Sequence, residues 1–281
     1  MALAISVRQL AVTFGRGQHT VPALLPLDLE VQAGAIVGVL GPNSSGKTTL
    51  LRVLAGLQRP SGGEATILGE APDSRANRNR VAFQSEGLLP LGVLSAPRYL
   101  QWVGAELGLP NALSDARAAA LLDRLGLRHA GARALRTFST GMQKRLALAA
   151  ALLGEPAVLL LDEPTAGLDP FGSETVMAIL CERAAAGGTV LLASHHLLEV
   201  EEICDEVVLL HRGALRARGR LADLLATDEQ ALVVRGLTEP ALGELAAAAR
   251  ARGGAVQVEG TRQHLFALFR RLGSDDREVG R

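Results

Sequence analysis

The sequence predicts an α/β domain built on a parallel sheet, and three observations carry that expectation. Short all-apolar runs recur and end at polar residues: Ile36–Leu40, Ala157–Leu161 before Asp162, Thr189–Ala193 before Ser194 and His195, and Val207–Leu210 before His211. Runs of this kind suit strands buried on both faces, as in parallel sheets. Helical periodicity fills the intervals between them. The N-terminal stretch alternates instead, as in Ile5-Ser6-Val7-Arg8 and Leu27–Val31, which predicts antiparallel strands with one wet face.

In chain order, the antiparallel β subdomain runs to about Glu30 and leads into the buried strand at Ile36–Leu40. A helix is expected over Lys47–Leu57, broken by Arg59-Pro60-Ser61-Gly62-Gly63. Residues from about 86 to 151 read as mostly helical (Tyr99–Leu107, Leu113–Leu125, Gly141–Leu153), which predicts an inserted helical subdomain. These elements make one domain over residues 1–225. Residues 226–281 read as a small α+β accessory unit: apolar Ala231–Val234, helical Ala241–Arg252, strand-like Ala255–Val258, helical His264–Leu272 and a frayed tail from Gly273.

Composition narrows the function classes. Apolar residues make up 48% of the 281, enough for a sizeable core. Lys+Arg and Asp+Glu balance at 29 each, so no net field draws the chain to nucleic acid or to an acidic membrane. Cys181 and Cys204 lie far apart without metal-ligand spacing and are expected to be reduced structural thiols. No basic leader precedes the first apolar residues, and no run reaches the roughly 18–20 apolar residues of a membrane span. A soluble protein that docks on something in a membrane fits this profile.

The chemistry begins at Gly41-Pro42-Asn43-Ser44-Ser45-Gly46-Lys47-Thr48-Thr49, which satisfies G-x-x-x-x-G-K-[ST] between an expected strand and an expected helix. In that context backbone N–H groups converge on phosphates, the helix dipole adds to them, Lys47 bridges the outer phosphates, and Thr48 can ligate Mg²⁺. Of the 29 basic residues only Lys47 and Lys144 are lysines. A compact ammonium suits a point contact between phosphates better than a planar guanidinium. Asp162 and Glu163 end an apolar run. They read either as the cap of a following loop or as a working pair, Asp162 holding Mg²⁺ through water and Glu163 taking a proton from the attacking water or orienting it. His195 ends another run and is either structural or a contact to the transferred phosphate, while His196 is assigned to packing or surface.

With these residues in order, the chain resembles the nucleotide-binding subunit of an ABC transporter over roughly residues 4–222. Walker A is GPNSSGKT, a glutamine loop surrounds Gln84, the signature is FSTGM, Walker B is LLLDEP, the D-loop is AGLD, and the switch histidine is His195. The resemblance implies a P-loop NTPase core that binds ATP with Mg²⁺, the metal held by Thr48, Gln84 and Asp162, partly through water. It implies that Phe14 stacks on adenine, the alternative being a core Phe. Gln84 would reach Mg²⁺ and the attacking water, with Glu86 as a competing assignment. Ser139, Thr140 and Gly141 would bind the γ-phosphate held by a second subunit, and Asp169 would cross the dimer interface. The signature departs from Leu-Ser-Gly-Gly-Gln at Phe138, Thr140 and Met142, and Ser-x-Gly-Met is similar to the exporter-type branch.

The implied partners are a separate membrane-spanning subunit and a second copy of this chain or a close relative, with no nucleic acid. The implied location is the cytoplasmic face of the cell membrane. The competing reading is a soluble ABC-type ATPase acting on nucleic acid or ribosomes, although the chain has one cassette and no long heptads. If position 44 requires a positive φ, Ser44 costs about 1 kcal/mol of strain, less than a tenfold loss of affinity. Arg212, Arg216, Arg218 and Arg220 are expected on a solvated hairpin, and Trp102 is expected to pack, the alternative being a place near the membrane-subunit contact.

Overall fold

A computed structural model describes residues 2–15, 19–87, 89, 91–224 and 239–251. The chain divides into two compact units, 1–225 and 226–281. The first begins with strands β1 (Leu3–Phe14), β2 (Val21–Gln32) and β3 (Ile36–Leu40), then helix α1 (Lys47–Leu54) and strands β4 (Gly62–Ile67) and β5 (Val81–Gln84). Helices α2 (Ala96–Glu106), α3 (Asn111–Arg124) and α4 (Thr140–Leu152) follow, then β6 (Val158–Asp162), α5 (Pro170–Ala185), β7 (Thr189–Ser194) and α6 (Leu197–Ile203). Strands β8 (Glu206–His211) and β9 (Ala214–Arg220) and the short helix α7 (Leu221–Leu224) complete it. In the second unit the described element is helix α8 (Glu239–Ala251), where the sequence predicts a helix over Ala241–Arg252. The expectations for Ala231–Val234, Ala255–Val258, His264–Leu272 and the tail lie outside the described residues.

Two sheets organise the first unit. A six-stranded sheet has the order β5-β6-β7-β3-β8-β9, parallel from β5 through β8 with β9 antiparallel at the edge. A three-stranded antiparallel sheet has the order β2-β1-β4. Every residue of β3, β6 and β7 is buried, because layers cover both faces of the large sheet. Alternate side chains accordingly join different cores. Ile36, Leu159, Leu161, Val190 and Leu192 pack with apolar residues of α2 through α5. Val37, Val39, Leu160, Leu191 and Ala193 pack with α1 and the antiparallel sheet. This α/β sandwich is the fold class the apolar runs predict, and the three helices α2, α3 and α4 lie where the inserted helical region is expected.

Several local expectations are corrected. The predicted break at Arg59–Gly63 contains the start of β4, whose Gly-rich sequence has little β-propensity of its own. It pairs with β1 through an irregular register, and Ile67 buries its end. Helix α1 ends three residues earlier than predicted, because Gly56 adopts a left-handed φ of 72° and its N–H closes on Val53. Trp102 does not pack into the core: it is 44% exposed on α2, its ring tilted 6.0 Å from that of Tyr99. The four arginines of the β8–β9 hairpin are exposed as expected, with Arg218 bonded to the Glu30 carbonyl. Among the described residues, no helix is long and apolar enough to cross a membrane.

Candidate nucleotide site

Residues 41–46 connect the end of β3 to the start of α1, so the loop leaves a buried parallel strand and enters a helix N-terminus. Its backbone is strained as a phosphate cradle requires. Ser44 has φ 63°, which meets the condition under which serine costs about 1 kcal/mol. Gly46 caps the helix at φ 106°, and a Cβ there would lie 2.5 Å from Leu24 Cδ2 and 2.8 Å from the Ala23 carbonyl oxygen. Only glycine lets β2 approach the loop so closely. Pro42, Asn43 and Ser44 are exposed, Ser45 is buried, and Thr48 and Thr49 are half-buried in the first helical turn. The buried Lys47 side chain folds back along the loop, Nζ donating to the Gly41 carbonyl at 2.7 Å and to the Pro42 carbonyl at 3.3 Å.

The strand ends bring the acids and the histidine to this loop. Asp162 is the last residue of β6 and is 2% exposed. Burial holds its carboxyl above the usual carboxylate range; a hydrogen bond from Thr48 opposes the shift, the charges of Glu86 and Glu163 add to it, and Lys47 lowers it. Glu163 follows at 5% exposure, in a left-handed conformation (φ 52°). Its Oε1 lies 2.9 Å from His195 Nδ1 and 4.0 Å from Lys47 Nζ. His195 stands just past β7 with a half-exposed side chain. Because β7 ends at Ser194, strand alternation does not separate the two histidines: the His196 ring lies 4.1 Å from the His195 ring, on the surface. Gln84 ends β5, 3% exposed and paired in register with Leu161, one residue before Asp162. Glu86 is exposed, and its charge reaches Asp162.

Four buried side-chain oxygens converge here without a hydrogen-bond partner among the described residues: Ser45 Oγ, Gln84 Oε1, Asp162 Oδ1 and Glu163 Oε2. Orphaned buried acceptors are costly and rare. A carboxylate, an amide oxygen and two hydroxyls (Ser45 and Thr48) are a hard-oxygen donor set that fits a hydrated Mg²⁺ beside a phosphate.

The remaining expected residues lie elsewhere. Ser139 is the N-cap of α4, its hydroxyl accepting from Met142 N at 3.2 Å, and Thr140 and Gly141 form the first turn. Asp169 is the N-cap of α5, accepting from Gly172 N at 2.7 Å. The two caps are neighbours, since a Cβ at Gly141 would lie 3.4 Å from the Gly167 carbonyl oxygen. Ser139, Thr140 and Asp169 are exposed, and none of these side chains bonds to the phosphate loop. Phe14 is 46% exposed at the end of β1, which excludes the core alternative, and it pairs with Val21 on the strand that abuts Gly46. Two anchors escaped sequence reasoning. Lys144 donates to the Glu163 carbonyl at 2.8 Å, and Thr165 is hydrogen-bonded to Glu199 of α6. The rarity of lysine is the one signal that pointed at the former; nothing in the sequence points at the latter.

A family model described as ABC transporter matches residues 24–166. The chain is 39% identical over 227 residues to an uncharacterized ABC transporter ATP-binding protein of Synechocystis, covering 80% of this chain and 64% of that protein. It is 38% identical over 200 residues to the daunorubicin/doxorubicin resistance ATP-binding protein DrrA of Streptomyces peucetius, covering 70% of this chain and 61% of that one. The chain thus spans less than two thirds of the length of these relatives. Among solved structures, it resembles the dimeric post-hydrolysis state of the ATP-binding cassette MJ0796 bound to ADP and Pi. That match has a TM-score of 0.71 and 25% identity, and covers 77% of this chain and 98% of the other.

Proposed function

The chain belongs to the ABC transporter family, and on that premise we propose that it binds and hydrolyses ATP to drive an exporter-type transporter through a separate membrane-spanning subunit. The observation that carries this reading is the convergence of Lys47, Asp162, Glu163 and His195 on one strand-to-helix loop, with unpartnered buried oxygens on Asp162, Glu163 and the neighbouring Ser45 and Gln84.

Loop N–H groups and the α1 N-terminus hold the β- and γ-phosphates, and Lys47 turns from the Gly41 and Pro42 carbonyls to the phosphate oxygens. Thr48, Asp162 and Gln84 would hold Mg²⁺, partly through water, with Glu86 the competitor of Gln84 for this place. The metal, when bound, neutralises charge developing on the phosphates. Glu163 takes the proton of the water attacking in line or orients it, and His195, bonded to the same carboxylate, faces the transferred phosphate. Phe14 stacks on the adenine.

The N-caps Ser139 and Asp169, with Thr140 and Gly141 of the first turn of α4, complete the site of a second subunit, so that two chains enclose two ATP molecules head to tail. Because the γ-phosphate then touches both subunits, ATP binds the closed dimer more tightly than the open one, and hydrolysis reopens it. This change passes to the membrane subunit through the segment after Gln84, where Gln84, Ser85, Gly87 and Tyr99 line a cavity of about 350 Å³. The proposed location is therefore the cytoplasmic face of the membrane.

The test is to purify the chain with its bound partners from detergent-solubilised membranes and measure Mg²⁺-dependent phosphate release from ATP. Recovery of a multi-span protein and Mg²⁺-dependent turnover are expected. Ribosomes or DNA in place of that protein would overturn the transport reading.

A further inference from the structure

Glu163 is held by its main chain as much as by its side chain. A glutamate at φ 52° persists only where its surroundings fix it. Three hydrogen bonds do so, the longest from the Ala166 N–H to the Glu163 carbonyl at 3.4 Å. The Glu163 N–H donates to the Ala193 carbonyl at 2.9 Å, tying it to β7, and the Glu163 carbonyl accepts from Lys144 Nζ at 2.8 Å. Lys144 is 8% exposed, so its charge has been withdrawn from water to make this contact. A buried ammonium persists only when paired or hydrogen-bonded.

The chain uses 27 arginines and two lysines, and both lysines converge on Glu163: Lys47 at the carboxylate, Lys144 at the carbonyl. A compact ammonium on a flexible stem acts as a point donor to a single carbonyl. Lys144 also lies just over one turn into α4 from the N-cap Ser139.

We infer that Lys144 is a positioning residue: it locks the left-handed backbone of Glu163, so aims the carboxylate at the attacking water, and ties the main chain of Glu163 to the helix whose exposed cap completes the opposite site. The inference rests on Glu163 being the group that activates water. Lys144 touches neither nucleotide nor water, so its loss lowers turnover without weakening ATP binding.

The test compares the full chain with Lys144→Met, Lys144→Arg and Glu163→Gln, measuring kcat and KM for ATP, equilibrium binding of a fluorescent ATP analogue, and thermal melting. The expected result for Lys144→Met is a kcat lowered about 10- to 100-fold, the range for a misaligned catalytic group, with the analogue's affinity within twofold of the original. Lys144→Arg, which keeps a donor of similar reach, is expected to recover at least a third of the turnover. Lys144→Leu replaces Lys144→Met if the latter does not fold. Unchanged kcat in the donor-less variant, a loss of nucleotide affinity that accounts for the whole effect, or no recovery with arginine would each overturn the inference. Near-original turnover in Glu163→Gln would instead refute the assignment of Glu163, whatever Lys144 does.

Discussion

The phosphate loop and the start of α4 are both helix N-termini, yet they sit in opposite surroundings. The loop is enclosed: Ser45, Lys47, Gln84, Asp162 and Glu163 are buried around it, and four of their oxygens lack a partner. The cap of α4 faces outward, with Ser139, Thr140 and the neighbouring Asp169 all exposed. Enclosure places charged groups in a low dielectric, where each contact to phosphate is strong and each misplacement costly. Exposure leaves the second cap free to meet a ligand carried by another chain. On the proposed reading, one region holds a nucleotide and the other closes over a neighbour's.

The sharpest way to break this contrast is at the enclosed end. Glu163→Gln is expected to slow hydrolysis by roughly 10²–10⁴-fold while ATP binding persists; phosphate release and nucleotide binding measured on the same preparation check it, and near-original turnover contradicts the assignment. At the exposed end, Ser139→Ala is expected to lower turnover more than about tenfold, a lost charge-assisted hydrogen bond, while leaving ATP affinity of the monomer unchanged. Weakened binding to the monomer would place Ser139 in its own chain's site instead.

A smaller effect follows from Asp162. Its folded pKa lies above its ordinary 3.8, so the folded chain holds more protons than the unfolded one in the window just above that value. Stability of the nucleotide-free protein is therefore expected to fall as pH rises through this window, and Asp162→Asn to flatten the decline in thermal melts. A decline that persists in the variant would assign it to another group. The smallest effect is at Ser44: relieving its left-handed strain with Ser44→Gly is expected to change ATP affinity less than about tenfold, read by titration with a fluorescent analogue. A hundredfold tightening would show a defective loop.

How much of this was legible in the sequence depends on distance along the chain. The loop was legible because its residues are contiguous and its flanks have the right periodicities. Asp162, Glu163 and His195 were legible as strand ends, because all-apolar runs announce where parallel strands stop. The tie between Lys144 and Glu163 spans 19 residues and that between Thr165 and Glu199 spans 34, and neither has a local pattern. β4 was hidden because two glycines at its start resemble a turn, while its pairing with β1 is decided by the rest of the sheet. Trp102 misled for a related reason: helical periodicity places it on α2 without saying whether anything covers that face.

The cysteines add an independent check on packing. Burial, with the charges of Asp205 and Cys181 behind it, pushes the Cys204 thiol up to about 12; burial and nearby carboxylates also raise the Cys181 thiol, which is nonetheless exposed to reagent. One fast-reacting thiol per chain is expected from a disulfide-exchange reagent at pH 8; two would show that α6 opens readily.

The central claim, that each site is shared between two chains, is tested most directly by mixing two crippled variants. Lys47→Ala removes the loop's cation, and Ser139→Ala removes the closing cap. If the site is split, a mixed dimer pairs the intact loop of one variant with the intact cap of the other, and ATP turnover rises above that of either variant alone. Mixtures that stay at the sum of their parts, while light scattering shows the dimers exchanging subunits, would contradict it.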